Sequence, residues 1–90
     1  MSENFTSAHM QLEVFPDRLR LHRIDTTKNM RRYYQMIIER DLFGGASLVR
    51  EWGRIGSGGQ ICRSYHSDEG QAVNALAQIM MAKQKRGYVL

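Results

Sequence analysis

Within separate segments between Met10 and His66 apolar residues tend to recur at every second position, and past Ser67 they recur at every third or fourth. A period of two lines one face of a strand, and a period near 3.6 gathers residues on one stripe of a helix. One such switch, late in the chain, calls for a run of strands followed by a single helix. The helix must bury its stripe against one face of the sheet, which is a two-layer domain. The expectation is therefore an α+β fold: an antiparallel β-sheet of about four strands packed against one C-terminal helix.

The elements follow from the same alternation. Met1 to His9 is polar with a lone Phe5 and reads as a disordered leader, so the domain is expected over residues 10–90. Met10 to Phe15 alternates like a strand, and Pro16-Asp17 interrupts it. Leu19 to Ile24 resumes the extended pattern, and Asp25 to Asn29 is turn chemistry. Arg32 to Glu39 is rich in aromatic and β-branched residues, with Tyr34, Met36 and Ile38 on the core face. Gly44-Gly45 marks a turn, Ala46 to Ile55 a third long strand, and Gly56-Ser57-Gly58-Gly59 a tight hairpin into Gln60 to His66. Ser67 is the expected N-cap of the helix, with Ala72, Val73, Leu76, Ala77 and Met80 on its buried stripe. Gly87 suits the C′ position, and Tyr88-Val89-Leu90 is a tail able to fold back.

Ninety residues with 42% apolar content support one core and no second domain. The single cysteine, Cys62, excludes an internal disulfide and fits a reducing compartment, so a cytoplasmic location is expected. No apolar run approaches the roughly 20 residues needed to span a bilayer, and no membrane association is expected. Thirteen Lys and Arg oppose nine Asp and Glu, and ten of the thirteen are Arg. That balance points to a polyanionic partner, either nucleic acid or an acidic protein surface.

Catalytic chemistry finds no footing. Cys62 lies mid-strand, and His9, His22 and His66 are scattered, so neither a nucleophile–base pair nor metal-ligand spacing exists. Gly56 to Gly59 lacks the dinucleotide-binding spacing and leads into a strand, and Gly53-Arg54-Ile55-Gly56 lies in a strand rather than between two helices. The chain is expected to be no enzyme and to need no cofactor or metal.

The informative segment is Arg50-Glu51-Trp52-Gly53-Arg54-Ile55-Gly56. On a strand Arg50, Trp52 and Arg54 share one side, where an indole can stack on a base while guanidinium groups take phosphate. A hairpin turning on Ser57-Gly58 sets Trp52 opposite Arg63 and brings Ile61 and Tyr65 to the same face. The pattern equally fits a core tryptophan ringed by solvated arginines, and alternation leaves open which sheet face carries Trp52. Arg18, Arg20 and Lys28 are further candidate phosphate contacts.

Val49-Arg50-Glu51-Trp52-Gly53-Arg54-Ile55-Gly56, followed by Gly59-Gln60, resembles the signature of the WGR domain family. Asn29 to Ile37 is similar to the family's second strand, and Glu69 to Tyr88, closing on Lys85-Arg86-Gly87-Tyr88, to its C-terminal section. The resemblance covers residues 10–90 and implies a WGR domain there, an antiparallel sheet packed on a helix. It also implies DNA binding, at ends or nicks. In eukaryotic poly(ADP-ribose) polymerases such domains bind strand breaks, the motif's Trp packing on the terminal nucleotide and its Arg joining a relay to other domains. Carried over, Trp52 is the stacking residue and Arg54 the contact or relay residue. Catalysis in those polymerases belongs to a separate domain, so ADP-ribosyl transfer is not implied. The family also includes bacterial proteins that stand alone, and this chain resembles those. The expected function is a small non-catalytic nucleic-acid-binding module, with an adaptor for an acidic protein as the alternative.

Overall fold

The computed structural model describes residues 17–90. The order is β1 (Arg18–Asp25), a 3-10 turn (Thr26–Lys28), β2 (Met30–Arg40), β3 (Ala46–Arg54), β4 (Gln60–His66) and α1 (Glu69–Lys85). All four strands form one antiparallel sheet in the order β1-β2-β3-β4, and α1 packs on one of its faces. This is the α+β arrangement that the change of period demands. The leader expected over residues 1–9 and the strand expected over Met10 to Phe15 lie outside the described residues.

Register decides which side chains meet the helix. Leu21 stands opposite Tyr34, Tyr34 opposite Trp52, Met36 opposite Arg50 and Ile38 opposite Leu48. Those residues share the helix side, and Leu21, Met36 and Leu48 are completely buried there against Ala72 and Leu76 of α1. Each such side chain contributes roughly 1.5–3 kcal/mol through loss of apolar surface from water. The opposite face has no element over it among the described residues, and Ile61 and Tyr65 of β4 are exposed there.

Two local expectations are corrected. The helix N-cap is Asp68 rather than Ser67: the Asp68 carboxylate accepts the Gln71 N–H at 2.8 Å, while Ser67 bonds only the Gln71 side chain. The β3–β4 hairpin is not a tight turn on Ser57-Gly58. The Ile55 N–H donates to the Arg31 carbonyl at 2.8 Å, which holds Ile55 on the β2 side, and Gly56 adopts φ +90° to turn the chain. The loop therefore runs from Ile55 to Gly59, and Trp52 pairs with Gln60 instead of Arg63. That displacement is an odd number of residues, so every β4 side chain changes face relative to the expectation. Arg63 stands opposite Val49, on the open face.

At the far end of the sheet Arg40 ties three parts of the chain together. Its guanidinium bonds Asp17 at 3.0 Å and, through Nε at 2.7 Å, the Glu69 carboxylate in the first turn of α1. The Arg40 hydrogen bond is the main cause that holds both carboxyls below their ordinary values. A depressed carboxyl stabilises the fold above its unfolded pKa, and that contribution disappears as pH falls through the folded value. Arg40→Met should thus lower the melting temperature at pH 7 by about a few degrees, as suits an exposed network, and change it little near pH 2. Thermal melts at both pH values check this, and equal losses at both would assign Arg40 a packing role instead.

Candidate nucleic-acid interface

The WGR-like segment of β3 sits on the helix side of the sheet, so Arg50, Trp52 and Arg54 do share a face. Trp52 and Tyr34 are cross-strand neighbours, with ring centroids 5.7 Å apart and planes 15° from parallel. A stacked pair of this kind adds about 0.5–1.5 kcal/mol beyond its buried area. Arg50 locks the pair from behind. Its guanidinium carbon lies 5.8 Å from the Trp52 ring centroid, and its N–H groups donate to the Tyr34 hydroxyl and the Cys62 sulfur, both at 3.2 Å. Those bonds, the one to Tyr34 foremost, raise the Arg50 pKa above its already high value.

The next rung of the sheet is unusual. Arg23 stands opposite Arg32, and Arg32 opposite Arg54, a row of three arginines across three strands. Like charges directly opposite each other on a sheet are destabilising. Arg54 relieves part of this by turning to the β1–β2 connection, where it donates to the Asn29 carbonyl at 3.2 Å and to the Asn29 side-chain oxygen at 3.4 Å. Asn29 sits in the left-handed region at φ 51° and closes the 3-10 turn onto Thr26 at 3.3 Å. Asp25 caps the turn's other end by accepting the Thr27 N–H and hydroxyl, at 3.1 and 2.6 Å.

A third wall comes from the C-terminus. Gly87, at φ +96°, reverses the chain after α1, and the Tyr88 N–H returns to the Lys83 carbonyl at 3.1 Å. Val89 exchanges two 2.8 Å backbone hydrogen bonds with His22 of β1. This fold-back, expected from the sequence, buries Tyr88 edge-on to Tyr34 at 6.5 Å. The Lys83 ammonium lies 4.6 Å from the Tyr34 ring centroid and 5.7 Å from that of Tyr88.

Between these walls is a cleft of about 450 Å³. Its cations are Lys28, Arg32, Arg54 and Lys83, and its rings are Tyr34, Trp52 and Tyr88. Arg31 and Tyr33 border it from β2 positions whose side chains alternate to the open face. No carboxylate of the described residues lines it. The carboxylates of the described residues are engaged elsewhere. Asp17 and Glu69 hold Arg40, Glu39 holds Arg63, and Asp25, Asp41 and Asp68 bond turn or helix N–H groups. Glu51 accepts the Tyr33 hydroxyl at 2.7 Å, which pushes that phenol above its ordinary value. The result is a positive, ring-lined cleft suited to a group that is both flat and anionic.

Of the residues singled out from sequence, Trp52, Arg54 and Lys28 meet at this cleft, and Arg50 supports it from behind. Arg18, Arg20 and Arg63 do not join them. Arg18 and Arg63 flank Ile37 and Val49 on the open face, and Arg63 pairs with Glu39. Arg20 stacks over Tyr33 at 4.6 Å and bonds Gln35 at 3.2 Å. Arg31, Arg32, Lys83 and Tyr88 escaped sequence reasoning. Only Arg31-Arg32, directly after a turn, offered a signal.

Comparison with known proteins gives a consistent assignment. The family model described as the WGR domain matches residues 17–90. The uncharacterized protein y4dW of Sinorhizobium fredii is 45% identical over 73 residues, which is 81% of this chain and 36% of that protein. The chain thus spans about a third of that relative's length, and no solved structure matches it. No helix among the described residues is long and apolar enough to cross a membrane.

The geometry of the cleft depends on close backbone approach at the hairpin base. A Cβ on Gly59 would lie 2.3 Å from the Trp52 carbonyl oxygen and 2.4 Å from the Tyr33 hydroxyl, whereas one on Gly58 meets nothing within 4 Å. Gly59→Ala should cost about 1–3 kcal/mol in a urea unfolding titration, because rigid backbone must move. Gly58→Ala should be close to neutral, and similar losses at both sites would refute this account of the hairpin.

Proposed function

The chain belongs to the WGR domain family, and on that premise we propose that its ring-lined basic cleft binds nucleic acid, DNA in particular, at ends or nicks. One observation carries the reading: four cations and three aromatic rings line a cleft in which no carboxylate of the described residues lies. Aromatic faces accept bases or sugars of any sequence, with stacking worth about 1–3 kcal/mol per base. Arg54, Lys28 and Arg32 lie around the Tyr34–Trp52 stack and would take the backbone phosphates. Arg18, Arg20 and Arg63, on the other face, would add to the positive field that steers a polyanion toward the domain.

The reading is of a binding module and not an enzyme, because the lining offers cations and ring faces without a nucleophile–base pair. An acidic protein would satisfy the cations but has no need of the exposed part of the stack, so the rings favour nucleic acid over the adaptor reading.

The test is titration of blunt, nicked and single-stranded DNA at several salt concentrations. Neutralising about four phosphates gives a log–log slope near −3.6 on duplex DNA, from roughly −0.9 per phosphate. Trp52→Ala should weaken binding by about 1–3 kcal/mol while the protein stays folded. Arg54→Ala should flatten the slope by roughly 0.9, and Arg63→Ala, on the other face, should leave it nearly unchanged. Affinity that ignores salt, or folded protein that binds none of the three DNAs, would reject the proposal in favour of an acidic protein partner.

A further inference from the structure

Lys83 is the cation of the cleft that comes from the helix, and its surroundings differ from those of an ordinary helix-end lysine. A lysine in a last turn normally extends into water and interacts with the helix dipole, as the exposed Lys85 is placed to do. Lys83 instead is half-buried, with its ammonium over Tyr34 and beside Tyr88. The charged groups that act on it are Arg86 after α1, Arg50 of β3 and Arg32 of β2, every one a cation. Among the described residues the ion pairs belong to Arg40 and Arg63, and none reaches Lys83. Burial first, then those three arginines, push the Lys83 pKa below its ordinary value.

An ammonium in this state is held by ring faces without a carboxylate of the described residues, and it has donors to offer. Its charge lies beside the same Tyr34 ring that stacks on Trp52. Building on the nucleic-acid reading, we propose that Lys83 is the phosphate anchor of the cleft, gripping the backbone phosphate of the nucleotide whose base or sugar packs at the Tyr34–Trp52 stack. Ring and charge are then read on a single nucleotide unit, one from the sheet and the other from the helix. A bound phosphate supplies a counter-ion that none of the described residues provides, and it moves the Lys83 pKa back toward its ordinary value.

A salt titration of a short single-stranded oligonucleotide tests this with the full chain and three variants: Lys83→Met, Lys83→Arg and Lys85→Ala. Lys83→Met should flatten the log–log salt slope by about 0.7, the share of one phosphate on a single strand. Its melting temperature should stay equal to or above that of the parent, because a thioether packs well on Tyr34 and the disfavoured charge is gone. Lys83→Arg should keep the slope, and Lys85→Ala should change it less than Lys83→Met does. If the parent protein binds with its full salt dependence and Lys83→Met matches it, the anchor is overturned while the nucleic-acid reading survives. Loss of binding together with stability in Lys83→Met would make Lys83 a structural residue and also overturn the anchor. A folded parent protein that fails to bind would remove both.

Discussion

The pairing of Tyr34 with Trp52 across β2 and β3 is the contact on which the rest of the structure depends. In a sheet, one cross-strand pair fixes every other, because side chains alternate strictly between faces. Toward one end, this register sets Met36 and Ile38 over the helix with Leu48 and makes the core. Toward the other, it forces Arg32 to stand opposite Arg54, with Arg23 beyond it. A one-residue slip would bury Glu51 and Gln35 under α1 and expose the apolar set, so the core enforces the register and the arginine row comes with it. The row is disfavoured locally and is held in place by packing several residues away, the usual relation between a fold and its binding site.

Charge is sorted along β2 rather than spread over the surface. From Arg31 to Arg40 the strand runs roughly 30 Å at about 3.3 Å per residue. Arg40, at one end, has two carboxylates to itself, whereas Arg32, toward the other end, lines a cleft with none among the described residues. A net charge of +4 would be unremarkable if evenly distributed. Concentrated against aromatic walls that exclude water, it makes a potential far stronger than the total suggests. On the proposed reading, a polyanion bound there would relax repulsion that the free fold must tolerate, which would link occupancy to stability.

Much of this fold was legible in the sequence because its signals are periodic. The change of period at Ser67 separates sheet from helix, and Tyr34, Met36 and Ile38 read directly as a buried face. The Gly87 turn and the returning tail were readable too, since a C′ glycine before an apolar tail has few other uses. The hairpin was not legible. Gly56 to Gly59 looks like the turn itself, and only the tertiary hydrogen bond from Ile55 to Arg31 lengthens the loop and reverses the face of β4. That single contact decides that Arg63 leaves the site. Lys83 was illegible for a related reason: a basic residue in a last helical turn already has a sufficient local explanation in the helix dipole. Only the returning tail, by adding Tyr88, gives it a second ring neighbour and a place in the cleft.

The tail also shows why the site cannot be divided from the domain. Tyr88 belongs to the core cluster and to the cleft wall at once, and Val89 secures it by pairing with His22 of β1. Tyr34 is likewise buried in the core on one side and present in the cleft on the other. Sheet, helix and tail each contribute one wall, so no single supersecondary unit holds a partial version of the site. In a domain this small, a binding surface cannot be carried on dispensable loops while a separate core supplies stability. The aromatic residues serve both purposes, and the cations are then arranged around them by whatever the core requires.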